Sequence, residues 1–178
     1  MILDSLLSFV APGTPLSLVG SAGVAIPSNV LDLLGVGSGN ASSNIIGDAS
    51  VFGEDTGIGG VKPQVQVNIG TACTTSTSAT LNVAFQAAID DGSNAPGTWE
   101  TLIETGPIAV ADLTAGAVLA RFDFPPAFPP GLSPRFLRLL FQVPSGTDFT
   151  AGTVASAIVT KVRDDQANRY AARNYVVA

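Results

Sequence analysis

Apolar and polar residues alternate with a period of two in several stretches of this chain, which is the pattern of half-buried β-strands. The clearest stretch covers residues 136–143, where every odd-numbered position is Leu, Phe or Val. We expect that face to point into a core. The even-numbered face mixes Phe, Leu, Arg and Gln, so we expect it to meet solvent, another chain, or both.

A second apolar run covers residues 153–159, after a linker that contains Pro144, Gly146 and Gly152. Two β-prone runs around a turn-rich linker predict two adjacent antiparallel strands. In the second run, positions 154, 156, 158 and 160 alternate with positions 155, 157 and 159, and neither set is strongly polar. This pattern predicts a strand covered on both sides.

About eight strands are predicted in all, and no long helix. The other strands are expected at residues 16–26, 30–34, 61–69, 79–89, 98–104, 108–110 and 118–124. Evenly spaced strands with turn signals between them favour an all-β sandwich. We predict a jelly-roll-like two-sheet sandwich at residues 16–161, with an N-terminal arm at 1–15 and a basic C-terminal tail at 162–178. An immunoglobulin-like sandwich is the alternative.

The composition limits the kinds of partner. Only 12% of the 178 residues are charged and the net charge is −6, which disfavours free binding to nucleic acid. Residues 1–120 hold ten acids and one base, whereas residues 121–178 hold seven bases and four acids. This polarity suits a C-terminal segment that docks on an acidic surface. A long Gly- and Ser-rich stretch at 35–44 is expected to be a loop that a partner orders.

The residue types leave little room for catalysis. Histidine is absent and Cys73 is the single cysteine, so neither Ser-His-Asp nor Cys-His chemistry is available. Trp99 with Glu100 and Glu104 is the nearest match to a glycosidase carboxylate pair. The residues 90–94, Asp-Asp-Gly-Ser-Asn, are interpreted as a turn, with a weak cation site as the alternative. We therefore expect no enzyme activity, no cofactor and no metal.

The N-terminal ten residues are apolar but include Asp4 and lack Lys and Arg. A signal peptide has a basic start and a longer apolar core, and no stretch approaches the length of a membrane span. We therefore expect a protein made in the cytoplasm, with no membrane partner.

Several short patterns resemble the Bbp16-type capsid cement proteins of tailed bacteriophages. The similarity begins at Met1-Ile-Leu-Asp-Ser-Leu-Leu-Ser-Phe9 and continues through Asn29-Val-Leu-Asp-Leu33, Val65-Gln-Val67 and Leu81-Asn-Val-Ala-Phe-Gln86. It ends with Arg135-Phe-Leu-Arg-Leu-Leu-Phe141 and Gly146-Thr-Asp-Phe-Thr-Ala-Gly-Thr-Val154. The proline-rich residues 124–131 and the segment after Lys161 are longer than the family pattern.

The resemblance implies a jelly-roll cement or decoration protein on the exterior of an icosahedral virion. It would clamp adjacent capsomers of an HK97-fold major capsid protein, and would act as a homodimer or, alternatively, a trimer. We expect the arms at residues 2–9 and 162–178 to carry shell or inter-subunit contacts, and the strand at 136–142 to contribute to the subunit interface. The expected contact residues are Ile2, Leu3, Leu6, Leu7, Phe9, Phe136, Arg138, Arg163, Arg169, Tyr170, Arg173 and Tyr175.

Two other interpretations compete with this one. A virion-associated carbohydrate- or receptor-binding β-module would need exposed aromatic residues, which are scarce here. A β-sandwich hydrolase is the weakest of the three. For the arginines of the 136–142 strand region, Arg135 and Arg138, pairing with an acid of the same subunit and anchoring an interface remain equally open.

Overall fold

The computed structural model describes residues 8–33, 63–124 and 134–161. These residues form thirteen strands and one short 3-10 helix at Val110–Asp112. The strands are β1 (Ser8–Val10), β2 (Leu16–Ser17), β3 (Ala25–Pro27), β4 (Leu31–Asp32), β5 (Pro63–Ile69), β6 (Thr74–Thr75), β7 (Thr80–Asp90), β8 (Pro96–Glu104), β9 (Ile108–Ala109), β10 (Val118–Asp123), β11 (Phe136–Gln142), β12 (Phe149–Ala151) and β13 (Thr153–Lys161).

The long strands form two antiparallel sheets. Sheet I has the order β1-β13-β5-β10, and β2 also pairs with β13. Sheet II has the order β3-β11-β7-β8, and β4 and β9 pair with β11 and β7 respectively. We count β1 with β2, β3 with β4, and β8 with β9 as one interrupted strand each, and leave aside the separate β6–β12 pair. Renumbered in chain order, sheet I then has the order 1-8-3-6 and sheet II the order 2-7-4-5. This is the strand order of a jelly roll, and the predicted all-β sandwich is confirmed.

The core lies between the two sheets and consists of inward-facing apolar side chains. Phe85 is its centre, since the ring of Phe9 meets it edge-on at 5.6 Å and the ring of Phe122 lies 5.8 Å away. None of the main inward residues is more than 5% exposed: Phe9, Val65, Val67, Ile69, Phe122 and Val154 from sheet I, and Leu81, Val83, Phe85, Ala87, Leu137, Leu139 and Phe141 from sheet II. The odd-numbered residues of β11 therefore do face the core, as their alternation predicts.

The prediction that the strands at 136–143 and 153–159 pair with each other is wrong. β11 pairs with β7, β3 and β4 in sheet II, whereas β13 pairs with β5, β1 and β2 in sheet I. The linker between them crosses from one sheet to the other and contributes β12, which pairs with β6. Alternation identifies the face on which a residue lies, but it carries no information about the neighbouring strand.

A β-bulge changes the facing of residues in β13. The register shifts between Val154 and Ser156, so Val154 lies on the same side as Ala157 and Val159, opposite Val65, Val67 and Ile69 of β5. Simple alternation from Val154 therefore predicts the wrong set of inward residues, because a bulge inserts one unpaired residue.

The structure also corrects the N-terminal boundary. Ser8–Val10 pairs with β13 and all three residues are buried, so the sandwich includes residues that we assigned to an arm. The single strand predicted at 16–26 is instead two short strands in different sheets, β2 and β3. No helix in the described part of the chain is long and apolar enough to cross a membrane.

Candidate interaction face

The outer face of sheet II carries three transverse rows of hydrogen-bonded side chains. The register produces two of them, because Gln142 lies opposite Asn82, and Arg138 opposite Gln86, across β11 and β7. In the first row, Asn82 Nδ2 donates to Glu104 Oε2 at 2.9 Å and to Gln142 Oε1 at 3.1 Å. The other two rows are each centred on an arginine.

The first arginine row is the Arg135 clamp, which we define as Asp32, Asp90, Asn94 and Arg135. Arg135 donates from Nε and Nη2 to the two carboxylate oxygens of Asp32 at 2.9 and 2.8 Å. Its Nη1 donates to Asp90 Oδ2 and, at 2.7 Å, to Asn94 Oδ1. The clamp thus joins β4, the end of β7 and the start of β11. Hydrogen bonds to Asp32 and then to Asp90 raise the pKa of the Arg135 guanidinium, so its charge is retained.

The Asp90–Asn94 segment is a tight turn whose carboxylate oxygens are already engaged. Asp90 Oδ1 accepts the N–H groups of Gly92 at 2.7 Å and Asn94 at 3.2 Å. These backbone bonds, with that of Gly92 the largest cause, and the neighbouring Arg135 lower the pKa of Asp90. Asp91 Oδ1 accepts from the N–H and hydroxyl of Ser93 at 2.8 and 2.7 Å. The turn interpretation therefore accounts for these acids, and the described residues contain no group of three or more metal-binding side chains.

The second arginine row is the Arg138 cluster, which we define as Gln86, Trp99, Thr101 and Arg138. Gln86 is 7% exposed and donates from Nε2 to Thr101 Oγ1 at 3.0 Å. Its Oε1 accepts from Arg138 Nε at 2.9 Å. The guanidinium carbon of Arg138 lies 4.1 Å from the centroid of the Trp99 ring, which is a cation–π contact. Partial burial lowers the pKa of Arg138.

The outer face of sheet I has a different character, with amides and hydroxyls that bond mainly to one another. Gln66 donates to Asn68 at 2.8 Å, and Asn68 donates to Ser156 at 3.0 Å. Arg121 is exposed on this face and makes no ion pair within the described ranges. Since no aromatic side chain of the described residues stacks on an arginine here, this face lacks the arrangement of the Arg138 cluster.

The carboxylates considered for glycoside hydrolysis do not converge. Glu100 lies opposite Ala87, whose side chain faces the core, whereas Glu104 lies opposite Ala84 on the outer side of β8. Glu104 is also bonded to Asn82, and Trp99 is occupied by Arg138. A glycosidase needs two carboxyl groups that flank one bond, so this trio does not form such a site. Burial raises the pKa of the Cys73 thiol, which makes it a poor nucleophile.

A shallow groove of about 340 Å³ lies beside β6 and β7. Its lining is mostly hydroxyl-bearing or small: Thr75, Ser76, Ser78, Ala79, Thr80, Ala109 and Val110. A sugar-binding site would be expected to offer an aromatic face, and these residues offer none. The groove therefore gives little support to a carbohydrate-binding module.

The expected contact residues that the structure describes differ in how far they are buried. Phe9 is fully buried against Phe85, so its assignment to a partner contact is wrong. Phe136 is 4% exposed, which leaves little of its ring for another chain. Arg138 lies half-buried on the outer face. The other expected contacts lie outside the described residues: Ile2, Leu3, Leu6, Leu7, Arg163, Arg169, Tyr170, Arg173 and Tyr175.

Sequence reasoning missed Gln86 and Asp32 as partners of the two arginines. For Gln86 the sequence carries a signal, since it is a polar residue within the apolar stretch that forms β7. The structure shows that it is 7% exposed. Asp32 gives no comparable signal, because 103 residues separate it from Arg135.

Together, the strand order and the two sheets define a jelly-roll protein whose sheet II carries a hydrogen-bonded outer face. The chain belongs to the Bbp16 family, whose family model matches residues 24–159. This is a phage-type family, and the chain is accordingly a phage structural protein. No curated protein matches the chain significantly.

Proposed function

We propose that this chain is a capsid cement protein. It binds the outer surface of an icosahedral phage shell and clamps adjacent capsomers of the HK97-fold major capsid protein, acting as a homodimer or, alternatively, a trimer. The observation that carries the proposal is the Bbp16 match, which runs from residue 24 to residue 159. It covers β3 to β12 completely and most of β13, so it includes both sheets and not a single motif.

The physical character of the described surface supports a mechanical role. Both outer faces carry side chains that are tied to one another by hydrogen bonds, as in the Asn68–Ser156 and Asn82–Gln142 pairs. Such side chains lose little conformational freedom when a partner covers them, which lowers the cost of binding. A modest affinity at each site is sufficient when the contacts repeat over a lattice.

The Arg135 clamp would help the domain to transmit load. It ties together three parts of sheet II that are far apart in the chain: Asp32 in β4, Asp90 at the end of β7, and Arg135 before β11. A clamp between capsomers must resist local opening when the shell is stretched, and long-range ties of this kind oppose such opening.

Cryo-electron microscopy of the parent virion tests the proposal most directly, and density for the jelly roll on the shell exterior is the expected result. A second experiment incubates empty shells with and without the purified chain, then follows co-sedimentation and the temperature of shell disruption. We expect co-sedimentation and a higher disruption temperature. A chain that stays in the supernatant, or shells equally strong without it, would contradict the proposal.

A further inference from the structure

Arg138 is a positioned cation that lacks an acidic partner within the described residues. Both ion pairs among the described residues belong to Arg135. Arg138 donates from Nε to Gln86, and one face of its guanidinium lies over the Trp99 ring. No hydrogen bond from either Nη atom to a described residue is present. The remaining N–H groups are therefore not engaged by any described residue, and we refer to them as the open fork.

The Arg138 guanidinium is held in place by the buried Gln86 and the partly buried Trp99. Gln86 is 7% exposed and anchored by Thr101, so its Oε1 fixes the direction of Arg138 Nε. The Trp99 ring, 4.1 Å from the guanidinium carbon, restricts rotation about the side chain. An arginine fixed in this way loses little entropy when it binds a planar, two-oxygen acceptor.

The electrostatics favour the same kind of ligand. Desolvation lowers the pKa of Arg138, which means that the site stabilises the cation less well than water does. A carboxylate placed against the open fork would restore that stabilisation through two parallel hydrogen bonds. Arginine and tryptophan side by side are also the residue types that most often dominate binding energy at protein interfaces.

We propose that the outer face of sheet II docks on the shell protein, and that Arg138 receives an aspartate or glutamate carboxylate of that protein. The inference rests on the proposed cement function and adds the docking face and the chemistry of the group that it recognises.

The carboxylate is assigned to a different protein because the three acids that the structure describes in the rows of this face already accept hydrogen bonds. Asp32 and Asp90 bind Arg135, and Glu104 accepts from Asn82. In a face-to-face contact with a second copy, one of these carboxylates would have to be shared between Arg138 and its present donor. A carboxylate from the shell protein carries no such cost.

The test measures binding of the full chain to empty shells of the same phage by co-sedimentation at several concentrations. Arg138→Gln removes the charge and the fork, whereas Arg138→Lys keeps the charge without the fork. Arg121→Gln is the matched control, since it removes an exposed arginine from the outer face of sheet I. We expect Kd to rise roughly thirtyfold for Arg138→Gln, about tenfold for Arg138→Lys and less than about twofold for Arg121→Gln. The ratio of the Kd of Arg138→Gln to that of wild type should decrease as the salt concentration increases.

The alternative outcomes are distinct. Equal weakening by Arg138→Gln and Arg121→Gln would overturn the docking face but leave the cement function intact. A wild-type dimer that Arg138→Gln converts to monomers would place the carboxylate on a second copy and overturn the assignment to the shell protein. No binding by the wild-type chain would remove the proposed function, and this inference with it. Circular dichroism and thermal unfolding show whether each variant is folded, and Arg138→Lys decides if Arg138→Gln is not.

Discussion

Arg135 binds both carboxylate oxygens of Asp32, at 2.9 and 2.8 Å, although the two residues lie 103 positions apart in the chain. The same guanidinium contacts Asp90 and Asn94 and lies 4.9 Å from the centroid of the Phe136 ring. One side chain therefore satisfies acids from two strands and covers an aromatic ring. Removing it would take away the charged hydrogen bonds that both acids accept from this guanidinium.

The first prediction concerns the contribution of this arginine to stability. Arg135→Met keeps much of the apolar stem but removes the hydrogen bonds that Arg135 donates to Asp32 and Asp90, so the urea midpoint should fall clearly with an unchanged m-value. Arg121→Met is the matched control, because Arg121 is an exposed arginine without an ion pair in the described ranges. Equal midpoints for the two variants would show that the clamp does not stabilise the fold.

The second prediction is an acid-dependent loss of stability. The pKa of Asp90 is lowered from 3.8, first by the Gly92 N–H and also by Arg135, and hydrogen bonds from Ser93 lower the pKa of Asp91. A lowered carboxyl pKa stabilises the fold fully above the unfolded-state value, and that stabilisation is lost as pH falls through the folded-state value. Unfolding free energy should therefore decrease below about pH 4.

Asp90→Asn separates this carboxylate from the others in the same titration. The amide can still accept the backbone N–H groups but carries no charge for Arg135. The variant should be less stable than wild type at neutral pH, and the two curves should converge in acid as wild-type Asp90 becomes protonated. Denaturation curves at a series of pH values measure the difference in unfolding free energy between wild type and Asp90→Asn. A difference that stays constant with pH would contradict a stabilising role for the Asp90 charge.

The third prediction tests a close approach between Gly152 and Cys73. Gly152 has φ +144°, and a Cβ there would lie 2.4 Å from Cys73 Sγ. Gly152→Ala should therefore destabilise the protein by roughly 2–4 kcal/mol, through the clash and the backbone strain together. Gly146→Ala is the control: its φ is +79° but nothing lies within 4 Å of the added Cβ, so only the cost of backbone strain, about 1 kcal/mol, is expected.

A double variant isolates the contact with the sulfur. If the clash involves Sγ, Cys73→Ala should recover part of the loss caused by Gly152→Ala, so that the two changes are not additive. Strict additivity would assign the whole cost to the backbone at position 152.

The strands could be predicted from the sequence, but their partners could not. β5, β7, β8 and β10 lie within about two residues of the predicted segments. In β5 and β10 the reason is a period of two, because one face of each strand is more buried than the other. The sheet that a strand joins depends on the path of the linker before it. The linker from Val143 to Gly152 contains the residues of an ordinary turn, yet it crosses between the sheets.

The candidate interaction face on the outer side of sheet II could also be predicted in part from alternation. Alternation placed Arg138 on the outer face of β11, which the structure shows. Its partners Gln86 and Trp99 come from two neighbouring strands, and the register that aligns them includes bulges in the β7–β8 pair. A single sequence carries no clear signal for such bulges. The Arg135–Asp32 contact depends on the whole chain path, and no local pattern indicates it.

The last prediction separates the N-terminal arm from the sandwich. The contact between Phe9 and Phe85 makes Phe9 part of the core, so Phe9→Ala should lower unfolding free energy by about 3–5 kcal/mol.

A truncation that removes residues 1–10 would delete β1 and could not distinguish unfolding from a lost contact. Deletion of residues 2–7 leaves β1 intact and removes Ile2, Leu3, Leu6 and Leu7. We expect this deletion to keep the free energy of unfolding within about 0.5 kcal/mol of wild type and to weaken co-sedimentation with empty shells, because these apolar residues are the expected contacts of the arm. Unchanged co-sedimentation would reject the arm as a contact, and a large loss of stability would show that residues 2–7 belong to the folded domain.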